Sequence, residues 1–542
     1  MSILFEPIEA AQRNNDSAPG LSQDQKDKAR MALKTALEDG RPPVASLRTD
    51  CLSYVEVLAQ SVSVIAPSTV PAAILGLIYA SAGNASWLSF LIGMLGLVLV
   101  SYNINQFARR SASAGSLYSY IVKGLGPTAG VLGGWALLFG YMLTGMSTLC
   151  GFSVIARELL AGFGFAPPVI SLYAIGAGGA FLFAYRDAQL SARAMLVFEC
   201  AALAAVLALG VIVWRNHAFA IDVSQVKLEG ATPGGILTGV VLVVFGFSGF
   251  ESSTALGEEA RDPLRSIPRS VVQSVVVAGL VFIFMAYVVI LGFKSMGASL
   301  ATTEAPLSYL ATELNWPRLG AFINIGILLS FFSCTLASVS STARIVYSMA
   351  RHGIMHEALG AAHDRNETPH IAAAFAALAT FLVATLVYLL GASPFESQGR
   401  FGSLCSFGFL TAYFLISVAA PFYLRKIGEL DRWSVAISIL GAGFMVLPFL
   451  GVIGVPGSEL FPPPHYPDNL LVWVFVAYMA AGALWLVTLR TRNPKKLPAV
   501  SQADGVGGRR PAQPAQQAEA PSTTTGAVEI THPSIVKEEI EL

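Results

Sequence analysis

Residues Gly234 to Arg269, GGILTGVVLVVFGFSGFESSTALGEEARDPLRSIPR, begin as an apolar run long enough to enter a bilayer as a helix. Halfway along, Phe245-Gly246-Phe247-Ser248-Gly249-Phe250-Glu251 places two glycines, a serine and a carboxylate where an anchor would carry only apolar residues. Glycine weakens a helix by about 0.8–1.0 kcal/mol relative to alanine. A buried acid costs roughly 2.5–3.5 kcal/mol on insertion scales. Bare backbone at membrane depth is tolerated only where protein or a water-filled cavity satisfies it. The stretch therefore reads as a discontinuous helix lining a site. Close helix packing at small residues is the alternative for the glycines alone, and Glu251 with the charged segment behind it argues against that.

The rest of the chain is built to the same scale. It is 542 residues long, 54% hydrophobic and 13% charged, against roughly 25% charge in soluble domains. Twelve apolar runs can cross about 30 Å of hydrocarbon, near 52–79, 85–108, 128–155, 168–186, 191–214, 234–257, 270–293, 319–350, 370–391, 403–424, 433–455 and 468–490. The expected class is an all-α polytopic membrane protein, in three parts: 1–48, 49–497 and 498–542. In the first, Ser22 and Gln25 form a capping-box pattern ahead of an amphipathic stretch with Ala29, Leu33 and Leu37, without a signal-peptide pattern. The last is rich in Ala, Pro, Gln, Gly and Thr and reads as a disordered tail. Loops on one side hold Arg109, Arg110, Arg186, Arg351, Arg425 and Lys426 among others, while the opposite side holds fewer basic residues. By the positive-inside rule both termini are cytoplasmic, in the cytoplasmic membrane. Zero formal net charge gives no sign of nucleic-acid binding, and the five cysteines lack metal-ligand spacing. The pair His352 and His356 has no accompanying ligands either, so no metal is expected.

The first apolar run carries a second break. Pro67 and Pro71, with Ser61, Ser63, Ser68 and Thr69, fall at membrane depth, where each proline removes a backbone donor. Ordinary proline kinks are the alternative. If helices 1–5 and 6–10 are inverted repeats, the broken first and sixth helices are corresponding positions, and such a pair points to a transporter site. Backbone N–H groups at a half-helix start favour a carboxylate, and carbonyl ends favour an ammonium. A zwitterion suits both.

Three stretches also resemble the amino acid–polyamine–organocation transporter superfamily. FGFSGFESSTALGEEARDPLRSIPRSV is similar to its sixth-helix signature, Ser113 to Tyr120 with Gly124-Leu125-Gly126-Pro127 to its second connection, and Thr342-Ala343-Arg344 through Gly353 to the end of its eighth helix. The resemblance implies a 5+5 inverted-repeat fold with helices 1 and 6 broken. It implies a substrate site at Ile65, Ala66, Ser68 and Thr69, whose amides take a carboxylate, and at Phe245, Gly246, Phe247, Ser248 and Gly249, whose carbonyls take an amino group. Phe247 or Phe250 is the implied aromatic gate. Many members carry Gly-Ser/Thr-Gly at the first break, where this chain has Ala66-Pro67-Ser68-Thr69.

Energy coupling has several candidates. Some proton-coupled members carry a lysine on the fifth helix, at a position that is Ala202 here. Glu199, three residues earlier on the same face, is an intramembrane acid that either carries a proton or braces helix one. Ser340 and Ser341 on helix eight offer hydroxyls to sodium, as in sodium-coupled relatives, or only to helix packing. Glu258, Glu259, Arg261 and Arg265 read as a cytoplasmic salt-bridge group, and Glu251 as pointing partly away from the cavity. No phosphate-cradling glycine-rich motif and no nucleophile–base pair is present, so neither ATP use nor enzyme chemistry is indicated. The expectation is a secondary transporter of an amino acid, working by symport or exchange with no cofactor beyond a coupling proton or sodium ion. Polyamine or organic-amine transport, a non-transporting amino-acid receptor and a channel are the alternatives.

Overall fold

The structure, a computed structural model, describes residues 46–492 except 304, 459, 462 and 465. The amphipathic stretch after Ser22 and the tail from 498 lie outside the described residues. All regular elements among those described are helical. Among the described residues, ten helices are long and apolar enough to cross a membrane. The two expected spans that fall short are the two with breaks.

The first span comprises α1 (Tyr54–Ile65), α2 (Thr69–Ala73) and α3 (Leu75–Ala82). Ala66 ends α1 in the left-handed region at φ 49°, a conformation costing roughly 1–2 kcal/mol for a residue with a Cβ. Then come α4 (Ser86–Ala108), α5 (Leu117–Leu125), α6 (Pro127–Ala161), α7 (Val169–Arg186), α8 (Ala188–Asn216) and α9 (Val223–Val226). The sixth span is α10 (Pro233–Gly246), a turn, and the 3-10 segment Ser252–Leu256. The remainder is α11 (Pro263–Lys294), α12 (Pro306–Glu313), α13 (Pro317–Arg351), α14 (His370–Leu389), α15 (Pro394–Ile427), α16 (Arg432–Ile453) and α17 (Leu471–Arg492).

Among the starts that differ from the sequence expectation, two have a clear local reason. Helix α15 begins nine residues earlier than 403, because Ser393 and Glu396 form a capping box around Pro394 at the first helical position. Helix α8 begins at Ala188 because the Asp187 carboxylate accepts the Gln189 and Leu190 amides.

Helix α6 runs along both α15 and α13. A Cβ on Gly408 would stand 2.4 Å from Ala136 O, so only glycine permits that approach of α15 to α6. Helices α6, α7, α13 and α14 pack together as one group, and α1, α4, α10 and α11 as another. Helix α8 joins α1 to α13. The two breaks therefore belong to one group and face the other.

Candidate functional site

A cavity of about 550 Å³ lies between the breaks. Its floor is Ile65, Ala66 and Thr69 from the first break with Phe245, Gly246 and Ser248 from the second. Thr144, Ser147 and Thr148 of α6 and Phe331 of α13 form the opposite wall. The cavity rises past Thr302 and Thr303 to a rim at Glu396, Arg400 and Asp468, where Arg400 lies 3.6 Å from Asp468. Among the described residues, its depth carries no charged side chain.

Six of the predicted substrate residues thus come together. At the first break, the Ala66 carbonyl accepts both the Thr69 amide, at 2.9 Å, and the Thr69 hydroxyl, at 2.8 Å. Ser68 does not join them. It is fully buried, its hydroxyl is 3.4 Å from Glu199 Oε1, and its backbone amide faces the same carboxylate. Glu199 also accepts Ser330 Oγ at 2.8 Å. A carboxylate from α8 therefore occupies the donors at the start of α2 that were expected to serve substrate.

At the second break, Gly249 adopts φ 89° and its amide donates to the Tyr413 hydroxyl at 2.9 Å, outside the cavity lining. Glu251 is fully buried and accepts Tyr141 OH at 2.7 Å and Tyr413 OH. It points away from the cavity. The aromatic rings differ from expectation: Phe247 packs edge-on against Phe282 and Phe250 lies against Tyr413, so neither lines the cavity. Phe245, at the last turn of α10, supplies the ring in the wall, because the chain turns over after Gly246.

Ser340 and Ser341 stand away from the cavity. Ser341 Oγ accepts Gln60 Nε2 at 3.0 Å, and the Ser340 carbonyl accepts Arg344 Nη1 at 3.0 Å. The hydroxyls of Ser63, Ser338, Ser340 and Thr342 are buried without a hydrogen-bond partner among the described residues. No group of three metal-ligating side chains occurs among the described residues.

The face opposite the rim is closed. The Cys51 and Leu52 amides both donate to Glu259 O at 2.9 Å, and the Arg261 amide returns to Leu52 O at 3.0 Å. The Glu259 carboxylate is gripped by two nitrogens of Arg344, with Nη2 at 2.9 Å from Oε1, and both side chains are buried. Its partner is thus on α13, not the neighbouring Arg261 or Arg265 of the expected group. Arg193 pairs with Glu56 at 2.9 Å beside it.

Sequence reasoning missed the α6 wall. Its signal is Thr144, Ser147 and Thr148 at i, i+3 and i+4, which share one helical face. The tyrosines on Glu251 come from positions 110 and 162 residues away, with no local mark.

Comparison with known proteins agrees with this geometry. The family model described as amino acid permease matches residues 57–456. The branched-chain amino acid permease BcaP of Bacillus subtilis is 24% identical over 65% of this chain and 76% of its own length. A methylthioribose transporter of the same organism is 23% identical over 74% of this chain and 85% of its own. The low-affinity putrescine importer PlaP of Escherichia coli K12 is 24% identical over 62% and 74%. With two interrupted spans facing one cavity and a family match over most of its length, the chain belongs to the amino acid permease family, as a multi-pass membrane transporter.

Proposed function

We propose that this permease moves a neutral amino acid across the cytoplasmic membrane by alternating access, driven by a proton. The observation carrying the choice of substrate is that, among the described residues, no carboxylate lies in the depth of the cavity. A polyamine needs an acid for each ammonium that loses its water. Glu251 and Glu199 are instead held by tyrosines and serines, while Glu396 and Asp468 stand at the rim. An aliphatic side chain fits against the apolar lining residues Val70, Leu242 and Phe331, with its carboxylate and ammonium at the two breaks. The relative named for branched-chain amino acids is consistent with this, and the putrescine importer marks the competing reading.

With both termini cytoplasmic, the Glu259–Arg344 closure is the inner gate and the cavity faces outward. Glu199 supports proton coupling by its place. Its carboxylate and the substrate carboxylate compete for the positive end of α2. Neutralising Glu199 strengthens the attraction left for substrate, so proton and substrate binding reinforce one another, reciprocally. Sodium between α1 and α13 is the second reading, favoured by the unpartnered Ser63 and Ser338 hydroxyls.

Uptake into proteoliposomes, competed by each neutral amino acid and by putrescine, tests the substrate class. At least one neutral amino acid should compete and putrescine should not. Competition by putrescine alone would overturn the reading.

A further inference from the structure

A second groove, of about 420 Å³, opens between α4 and α11 on the face that carries the closure. Arg109 follows the last turn of α4, one turn beyond Asn105, and Arg265 and Arg269 stand one turn apart in the first two turns of α11. Residues four apart share a helical face, so the two helix ends turn their arginines into one groove. Among the described residues, the three arginines make one ion pair, a loose Arg265–Asp262 contact at 3.9 Å. Among the described residues, the lining contains no acid. Leu264 and Val272 provide apolar surface beside the charges.

Asn105 gives an independent sign of a ligand. It lines the groove, is only 4% exposed, and uses its Nδ2 to donate to Pro268 O at 3.1 Å. Its Oδ1 is buried without a hydrogen-bond partner. Buried polar atoms of this kind are ordinarily satisfied, and this one asks for a donor. Three guanidinium groups ask for an anion, with planar N–H pairs that match phosphate oxygens.

We infer that this groove binds a phosphate group, with a phospholipid headgroup as the source its position favours. The apolar runs of α4 and α11 end at the groove, which is the level where headgroups lie. Leu264 and Val272 meet the acyl chain, the arginines hold the phosphodiester, and a headgroup hydroxyl donates to Asn105 Oδ1. Phosphatidylglycerol carries all three features.

The test uses the full-length protein in nanodiscs of phosphatidylcholine with graded phosphatidylglycerol, measuring melting temperature and lipid retained by native mass spectrometry. A parallel titration adds inorganic phosphate. R109Q/R269Q should weaken phosphatidylglycerol retention by roughly thirtyfold, the weight of two interfacial arginines. R490Q/R492Q, which removes two charges at the end of α17, should leave it unchanged. Both variants must elute as the wild type and keep substrate binding in the main cavity. Stabilisation by inorganic phosphate that R109Q/R269Q abolishes would support the site and assign it a soluble anion. Retention equal in R109Q/R269Q and wild type, or equal loss in both double variants, would overturn the proposal.

Discussion

The two breaks in this permease solve one problem with different chemistry. Each interrupts a membrane-spanning helix and is accompanied by a buried carboxylate that stays out of the cavity. At the first break the carboxylate is Glu199, brought in by α8 and held by the hydroxyls of Ser68 and Ser330. At the second it is Glu251, which follows the break itself and is locked by Tyr141 of α6 and Tyr413 of α15. Tyr413 also receives the Gly249 amide. Glu199 is held by two serine hydroxyls and the Ser68 amide, whereas Glu251 is held by two tyrosine hydroxyls, one of them tied in turn to the Gly249 amide. Under the proposed coupling, the first break is the one that changes its protonation and the second the one that keeps its shape.

The largest expected effect comes from filling the glycines. A Cβ on Gly249 would lie 2.1 Å from Val64 Cγ1 on a backbone at φ 89°. G249L should abolish substrate binding while the protein still inserts. At Gly246 the first obstacle is the Val70 side chain at 3.3 Å, so G246A should be far milder than G249A. Binding isotherms for the two alanine variants check the order, and equal losses would erase the distinction between a rigid joint and a cavity wall.

Next is the closure, where the chain entering the first break meets the chain leaving the second. Replacing Arg344 with methionine strands a buried Glu259 carboxylate, a loss of about 3–5 kcal/mol for a buried pair. Cysteine-reactive labelling at Cys51, buried under the closure, should rise sharply in R344M. Unchanged labelling would show that the backbone contacts of Leu52 suffice.

The smallest effect lies away from both breaks. Burial disfavours the Asp222 carboxylate, but hydrogen bonds from Lys294, Gln225 and Ser224 outweigh this and hold it down to about 2. A depressed carboxylate contributes stability above its unfolded value, near 3.8, which is lost as pH falls toward 2. D222N should therefore lower the melting temperature near neutral pH, with the difference vanishing across that acid window and substrate affinity unaffected throughout. A change in affinity would tie this loop to the cavity.

Much of this was legible in the sequence. The spans follow from length and apolarity, and the breaks from Pro67, Pro71, Gly246 and Gly249, because bare backbone in a membrane must serve a site. Ile65, Ala66, Thr69, Phe245, Gly246 and Ser248 were placed there by the resemblance to the transporter superfamily, and they line the cavity. What escaped depends on rotation and distance. Ser68 and Thr69 are adjacent, yet one faces Glu199 and the other the cavity, since successive helical positions turn by about 100°. The partners of Glu251 and Glu259 come from other helices, and no local pattern names them. Phe245 and not Phe247 or Phe250 presents its ring to the cavity because the chain turns at Gly246, a bend the letters locate without giving its direction.

The division of labour between the breaks is tested most directly by E199Q and E251Q side by side in vesicles, measuring proton-driven accumulation and exchange of preloaded substrate. Exchange needs only the loaded carrier to reorient, so it does not require proton release. E199Q should lose uphill accumulation and retain exchange, while E251Q, with a tyrosine left poorly matched, should lower both together. E199Q with accumulation intact, or with both activities lost in a folded protein, would contradict the account.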